Sequence, residues 1–219
     1  SELLRYKKLF QNSINNLIIG SHIGLMAIPL SKISKTLYCV EANPETYEIF
    51  KKNINLNNIE NIKTYNFAAG NIEKEIFFLK NNDNSGGSKI VPKKFRPKYF
   101  YDIPQKIKVN QYKMDNYFKE IKFDVIIIDI EGSEHKCLIG MKNILKDCKF
   151  LVIEFIPYHI KEVANISIDT FLDSFTNFFD FVEFPKKNIK LSISEAKILL
   201  KKMYLKNEFE DGIIFSKKN

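Results

Sequence analysis

The sequence predicts an α/β fold built on a mainly parallel sheet, and three observations carry that prediction. From Asn16 onward, short apolar runs rich in β-branched residues alternate with amphipathic stretches of helical period, as expected when each strand is followed by a helix crossing back over the sheet. A glycine turn, Gly20-Ser21-His22-Ile23-Gly24, separates the first apolar run from the first helical stretch. That is where an open α/β sheet brings backbone N–H groups to a ligand. With 219 residues the chain can bury one sizeable core but is short for two, so residues 1–219 are expected to form a single domain.

Strands are expected at residues 17–19, 36–41, 62–67, 123–129, 150–155, 179–184 and 212–215. Asn43 as N-cap, with Pro44 at the first helical position, opens a helix whose Tyr47, Phe50 and Ile54 share one face. A second helix is expected over residues 134–145, with Leu138, Met141 and Leu145 facing inward. A third follows Ser167, where Ile168, Phe171, Leu172 and Phe175 recur at helical spacing. A fourth opens at Ser192, with Glu195 in capping-box position.

Residues 71–112 break the alternation and read as an insert between the third and fourth strands. Residues 76–79 resemble a strand, and the polar stretch 81–88 reads as a loop without period. Residues 89–108 carry seven basic residues against Asp102 alone, interleaved with Phe95, Tyr99, Phe100 and Tyr101. Pro92, Pro97 and Pro104 are expected to block regular structure there.

Composition excludes several classes. At 45% apolar and 27% charged residues, the chain is neither disordered nor collagenous, and no apolar run reaches the 18 residues of a membrane span. Ser1, Glu2, Arg5, Lys7 and Lys8 do not build the apolar centre of a signal peptide, so a soluble, cytoplasmic protein is expected. The net charge is +8, yet every basic residue except Arg5 and Arg96 is Lys. Nucleic-acid readers lean on Arg for bidentate contacts. A solvated lysine surface is therefore the first reading, with an anionic substrate or nucleic acid as alternatives. Cys39, Cys137 and Cys148 form no C-x-x-C pair and fit buried, reduced thiols. No H-E-x-x-H, EF-hand or G-x-S-x-G pattern occurs, and no residue is assigned to a metal.

Two features point to a nucleotide-bearing cofactor. One is the glycine turn; the other is Glu41, which ends the second strand 21 residues after Gly20, where an acid can accept both hydroxyls of a ribose. Further motifs follow in one order: Glu41-Ala42-Asn43-Pro44, Asn53-Ile54-Asn55-Leu56-Asn57, Phe67-Ala68-Ala69-Gly70, Met114-Asp115-Asn116-Tyr117, Asp129-Ile130-Glu131-Gly132-Ser133-Glu134 and Leu138-Ile139-Gly140. Over roughly residues 17–154 the chain resembles the FkbM family of class I S-adenosylmethionine-dependent methyltransferases, and residues 129–134 are the most specific part of the match.

The resemblance implies a Rossmann-like class I methyltransferase fold: a seven-stranded, mostly parallel sheet whose last strand is antiparallel. It implies S-adenosylmethionine as cofactor, with Gly20, Ser21, His22 and Gly24 at its methionine part, Glu41 and Ala42 at the ribose, Phe67 and Ala68 at the adenine, and Asp129 where the methyl points. The chain departs from the family pattern at three positions. Ile18 replaces an acid two residues before the first glycine, Ile127 replaces a Lys in the fourth strand, and His22 replaces an Asn.

A hydroxyl acceptor needs a proton acceptor within reach. Asp129 is the first choice, with Glu131 and His135 next and Glu154 on the same rim. Each acid also suits the start of the helix expected near Glu134, and His135 and His159 read equally as surface or satisfied histidines. The expected function is O-methyl transfer to a carbohydrate or glycan-like acceptor, an anionic one being held by Lys93, Lys94, Arg96 and Lys98 of the insert as an acceptor-binding cap. An RNA methyltransferase and an inactive methyltransferase-like binding module are the alternatives, with nucleic acid the less expected partner.

Overall fold

The computed structural model describes residues 2–94 and 102–218. Helix α1 (Glu2–Phe10) precedes the first strand, β1 (Asn15–Ile19). The short α2 (Ala27–Ser31) leads to β2 (Thr36–Glu41), then α3 (Pro44–Leu56) and β3 (Ile62–Asn66). Asn43 Oδ1 accepts from the Glu45 N–H and Pro44 occupies the first turn, so α3 starts where the capping signal places it.

The insert follows as β4 (Ala68–Gly70), β5 (Lys74–Lys80), β6 (Lys89–Ile90) and β7 (Gln105–Lys113), which form a separate four-stranded sheet in the order β4-β7-β5-β6. The strand expected at residues 76–79 is the centre of β5. The prolines do not keep the whole segment irregular, because all three precede β7 and leave its N–H groups free to pair with β5.

After α4 (Met114–Tyr117) come β8 (Val125–Ile128), α5 (Glu134–Ile139), α6 (Lys142–Asp147) and β9 (Phe150–Phe155). A single π-helical turn (His159–Ala164) and α7 (Ile168–Asp173) lead to β10 (Phe181–Phe184) and β11 (Ile189–Ser192). Helix α8 (Ile193–Lys206), opened by the Ser192–Glu195 capping box, and β12 (Glu210–Ser216) complete the chain. The main sheet has the order β11-β10-β12-β9-β8-β1-β2-β3. Its first five strands in the chain run parallel, and β12 is antiparallel to both β9 and β10.

The seven expected strands are all present, but the sheet has eight. Lys187 N–H donates to the Phe184 carbonyl and Asn188 takes φ +51°, and this turn folds β11 back onto β10. The helix expected over residues 134–145 is likewise two helices. Gly140 packs its backbone on that of Gly70, where a Cβ would stand 1.9 Å from the carbonyl oxygen. Asp115 N–H takes the Gly140 carbonyl at 2.9 Å, while the Asp115 carboxylate accepts from Asn143 and Ile144 N–H at 3.0 Å and caps α6.

Alternate strand residues feed two cores, one on each face of the sheet. Leu17, Ile19, Ile126, Ile128, Leu151 and Ile153 join one; Ile18, Cys39, Val125, Ile127 and Val152 join the other, together with Tyr6 and Phe10 of α1. Two family departures meet there. Ile18 and Ile127 are direct partners across β1 and β8, so where the family pattern has an acid and a Lys side by side, this chain buries an apolar pair. The three cysteines are free and buried, and burial pushes their thiols up, to about 12 for Cys39 and Cys148. Among the described residues, no helix is long and apolar enough to cross a membrane.

Candidate active site

A cavity of about 290 Å³ opens at the carboxyl ends of β1, β2 and β8, where the strand order changes direction. Gly20 takes φ +90°, and a Cβ there would lie 1.7 Å from the Asp129 carbonyl oxygen, so only glycine lets the first turn pass under the end of β8. His22 takes φ +49°, a left-handed conformation in which Asn, Asp and His are enriched. That conformation accounts for both the family's Asn and the tolerated His. Asn53 Nδ2 donates to the Ile23 carbonyl at 2.8 Å, so the N-x-x-L-N motif on α3 holds the same turn in place.

Glu41 is 8% exposed. Its Oε2 accepts from His22 N–H at 2.9 Å and its Oε1 from Asn43 N–H at 2.8 Å. Burial pushes this carboxyl above its usual range, and backbone donors from Asn43, His22 and Ala42 offset only part of that rise. A carboxylate has about four acceptor sites, so these bonds leave capacity for a diol on the cavity side.

The insert closes the opposite side of the cavity through Phe78, residues 84–88 and Ile90. It is fastened at three points. His22 Nε2 and Ser85 Oγ lie 2.7 Å apart, Lys80 Nζ meets Glu45 Oε1 at 2.7 Å, and Lys89 Nζ meets Glu131 Oε2 at 3.1 Å.

Asp129 and Glu131 line the end of the cavity nearest β8. Glu131 takes φ +55°, which turns its carboxylate toward Lys89 and His159. His159 Nε2 stands 3.4 Å from the oxygen that Lys89 holds. Burial raises the Glu131 carboxyl, but His159 and the Lys89 charge outweigh it and hold it below the usual range. Glu154, at the end of β9, is pushed up to about 9 by burial and then by the charges of Asp129, Glu134, Glu131 and Asp211. Glu154 does not line the cavity. Glu134 turns inward, its Oε1 accepting from Ile130 and Gly132 N–H at 3.2 Å, and so fixes the Asp129–Glu134 turn.

Of the residues assigned to the cofactor, Gly20, His22, Glu41, Ala42, Phe67, Ala68 and Asp129 line the cavity. Ser21 and Gly24 do not. Ser21 Oγ faces the Ile18 and Val40 carbonyls, and Gly24 packs against the Phe50 ring, so both shape the turn from behind. His135 lines a smaller cleft beside the cavity. Lys93 and Lys94 are exposed, with their N–H groups bonded to the Val163 and Glu162 carbonyls, and neither lines the cavity. Arg96 and Lys98 lie outside the described residues.

Sequence reasoning missed the roles of Lys89 and His159, both buried against Glu131, and of the 84–88 loop. Gly86-Gly87-Ser88 just before a lysine was the only local signal for that loop. Here a depression floored by a side-chain-free glycine, with Glu41 at its β2 edge and walls of Phe67, Phe78 and Ile90, fits an adenosyl group, whose base is apolar on its faces and whose ribose is a diol.

Sheet order and cavity position define a Rossmann-like methyltransferase fold. A crystal structure of methyltransferase FkbM from Methylobacillus flagellatus KT superposes with a TM-score of 0.55 at 12% identity, covering 94% of this chain and 44% of that one. The present chain thus spans under half the length of that relative. StiE O-MT gives a TM-score of 0.52 at 8% identity, covering 99% of this chain and 74% of the other. SMU.1697c from Streptococcus mutans, solved in complex with SAH, gives 0.50 at 10% identity, covering 99% and 98%. At these identities the likeness is one of fold. No curated protein matches the chain. The methyltransferase FkbM domain model matches residues 19–165, and the chain belongs to this family of S-adenosylmethionine-dependent methyltransferases.

Proposed function

We propose that this protein transfers a methyl group from S-adenosylmethionine to a hydroxyl oxygen of a carbohydrate or glycan-like acceptor. The observation that carries this reading is the lining of the cavity: the Gly20 turn and Glu41 at one end and the Asp129 carboxylate at the end nearest β8. Gly20, His22, Glu41, Ala42, Phe67 and Ala68 would hold the cofactor. When bound, the cofactor supplies an electrophilic methyl on a sulfonium sulfur. Asp129 accepts the proton of the incoming hydroxyl, which is too weak a nucleophile at neutral pH without a base. Glu154, outside the lining, acts only through its charge coupling to Asp129, and Phe78 and Ile90 of the insert exclude water from that side.

The test has two stages. Calorimetric titration with S-adenosylmethionine and its demethylated product should give saturable binding and raise the melting temperature by mass action. Incubation with methyl-labelled cofactor and a panel of sugars, sugar phosphates and glycans should then label an oxygen. Absence of cofactor binding to the folded protein would overturn the reading, and label found only on nitrogen or carbon would overturn the choice of oxygen.

A further inference from the structure

We propose that the insert loop Asn84–Ser88 is part of the cofactor site, and that His22, paired to Ser85, is the residue that positions this loop over the bound cofactor. The inference rests on the cavity being the S-adenosylmethionine site and is independent of the nature of the acceptor.

All five residues of the loop line the cavity, on the side that the insert closes. The loop is shaped by the protein itself. Asn81, 1% exposed, donates its N–H to Ser88 Oγ at 3.1 Å and its Nδ2 to the Gly87 carbonyl at 3.0 Å, while Asp102 Oδ2 accepts from Asn82 and Asp83 N–H. Within the loop, Gly87 N–H donates to the Asn84 carbonyl at 3.0 Å and Ser88 N–H to the Ser85 carbonyl at 3.2 Å. A loop ordered in this way gives up little further freedom when it encloses a ligand. Gly86 adds room: a Cβ there would meet only Asn84 Oδ1, at 3.3 Å, so a side chain would cost the empty protein little and take its space from the cavity.

One residue ties this loop to the opposite wall. His22 Nε2 and Ser85 Oγ lie 2.7 Å apart, and the backbone N–H of the same His22 donates to Glu41 Oε2 at 2.9 Å. Loop, glycine turn and buried acid are thereby joined in one line across the cavity. The family pattern has Asn at this position. Both residue types suit φ +49°, but an imidazole carries its outer nitrogen farther from the backbone than Asn carries its amide. The turn alone therefore does not require His22, whereas the reach to Ser85 does. Burial holds the imidazole below its ordinary range, so the ring is neutral at pH 7 and does not repel the positive sulfonium of the cofactor.

The experiment measures calorimetric affinity and stopped-flow dissociation of S-adenosylhomocysteine from the full chain and its variants, with thermal melts of the empty proteins alongside. His22→Asn keeps the turn and the N–H to Glu41 but loses the reach to Ser85, so the ligand should leave about fivefold faster, the worth of one hydrogen bond. Association should change less than about twofold. Ser85→Ala should do the same, and the double variant should lose no more than either single variant, because each removes the same bond. Gly86→Leu should weaken affinity about tenfold or more. Should Gly86→Leu fail to fold, the dissociation rate from Ser85→Ala decides. A merely structural pair would lower the melting temperature of the empty variants and leave dissociation unchanged. Unchanged dissociation in the single variants, additive effects in the double variant, or parental affinity in folded Gly86→Leu would overturn the proposal. A parent that binds no S-adenosylhomocysteine would instead overturn the cofactor reading of the cavity, and the proposal with it.

Discussion

On the wall of the cavity built by β1 and β2, Glu41 is buried, and each of its carboxylate oxygens accepts a backbone N–H, from His22 at 2.9 Å and Asn43 at 2.8 Å. At the end of β9, half-buried and outside the lining of that cavity, Glu154 is pushed up to about 9 by burial and then by the charges of Asp129, Glu134 and Glu131. Both are glutamates at strand ends. The first is answered by the fold's own backbone, so it is held in one geometry and suits binding. The second sits in a charge conflict that a single proton relieves, which is the state from which protons are moved. The difference lies in neighbours that come from separate elements of the fold, and the proposed mechanism gives binding to the Glu41 side and transfer to the Asp129 side.

The division is broken most directly at Asp129. Asp129→Asn keeps the shape of the rim and removes its proton acceptor, so turnover should fall by about 10²–10⁴ while affinity for the demethylated cofactor stays within a few fold. Steady-state rates with an acceptor found by methyl labelling, together with calorimetry, check both halves. If turnover survives and instead collapses in His135→Ala, the proton goes to the histidine and the acid rim only orients the acceptor.

Beneath the binding wall, Ile18 and Ile127 should behave as one unit. Ile18→Asp leaves an unpaired buried charge and should destabilise the protein by about 3–5 kcal/mol. Adding Ile127→Lys restores the pairing of the family pattern and should recover a substantial part of that loss, since direct cross-strand neighbours couple. Urea melts of the two single variants and the double variant measure the coupling. Strict additivity would mean that the two departures are independent, and that the apolar pair is not the structural substitute for the ionic one.

At Glu41 the two roles of the carboxylate can be separated. Glu41→Ala removes the acceptor of two backbone N–H groups and the proposed ribose anchor, and should weaken cofactor binding by about one to two powers of ten. Glu41→Gln keeps one acceptor oxygen and should lose less. Equal affinity in all three proteins, measured calorimetrically on folded samples, would remove Glu41 from the cofactor site and leave it as a turn anchor.

What could be read in the sequence followed from local rules. The strands of the main sheet were legible because β-branched runs end at turn residues, and Gly20, Glu41 and Asp129 because they stand at strand ends, where this fold gathers its chemistry. The break at Gly140 was not legible: Leu138, Met141 and Leu145 keep helical spacing through it, and periodicity does not register a backbone contact with Gly70. Nor was α1, whose Tyr6 and Phe10 are buried only because the underside of the sheet needs cover. Lys89 stood in a lysine-rich segment with nothing to mark it. Its burial against Glu131 arises from the insert folding back across the cavity.

The remaining prediction is the one most specific to the acid rim. Glu154 is raised to about 9 in the folded protein from 4.5. The folded state therefore holds a proton that the unfolded state has released, over the range between those values. Linkage fixes the sign: the contribution of Glu154 to stability is fully present below about pH 4.5 and is lost progressively as pH rises toward 9. Glu154→Gln resembles the protonated side chain at every pH, so the variant should match the parent near pH 5 and become increasingly more stable than it up to pH 9, with no further gain above. Thermal melts of parent and variant across this range measure the divergence. The crowding carboxylate can be tested in the same way: in an Asp129→Asn background one source of repulsion is gone, so the divergence should shrink and its upper end should move to lower pH. A constant difference between parent and variant would mean that Glu154 is ionised throughout and that its acidic neighbours impose no charge conflict.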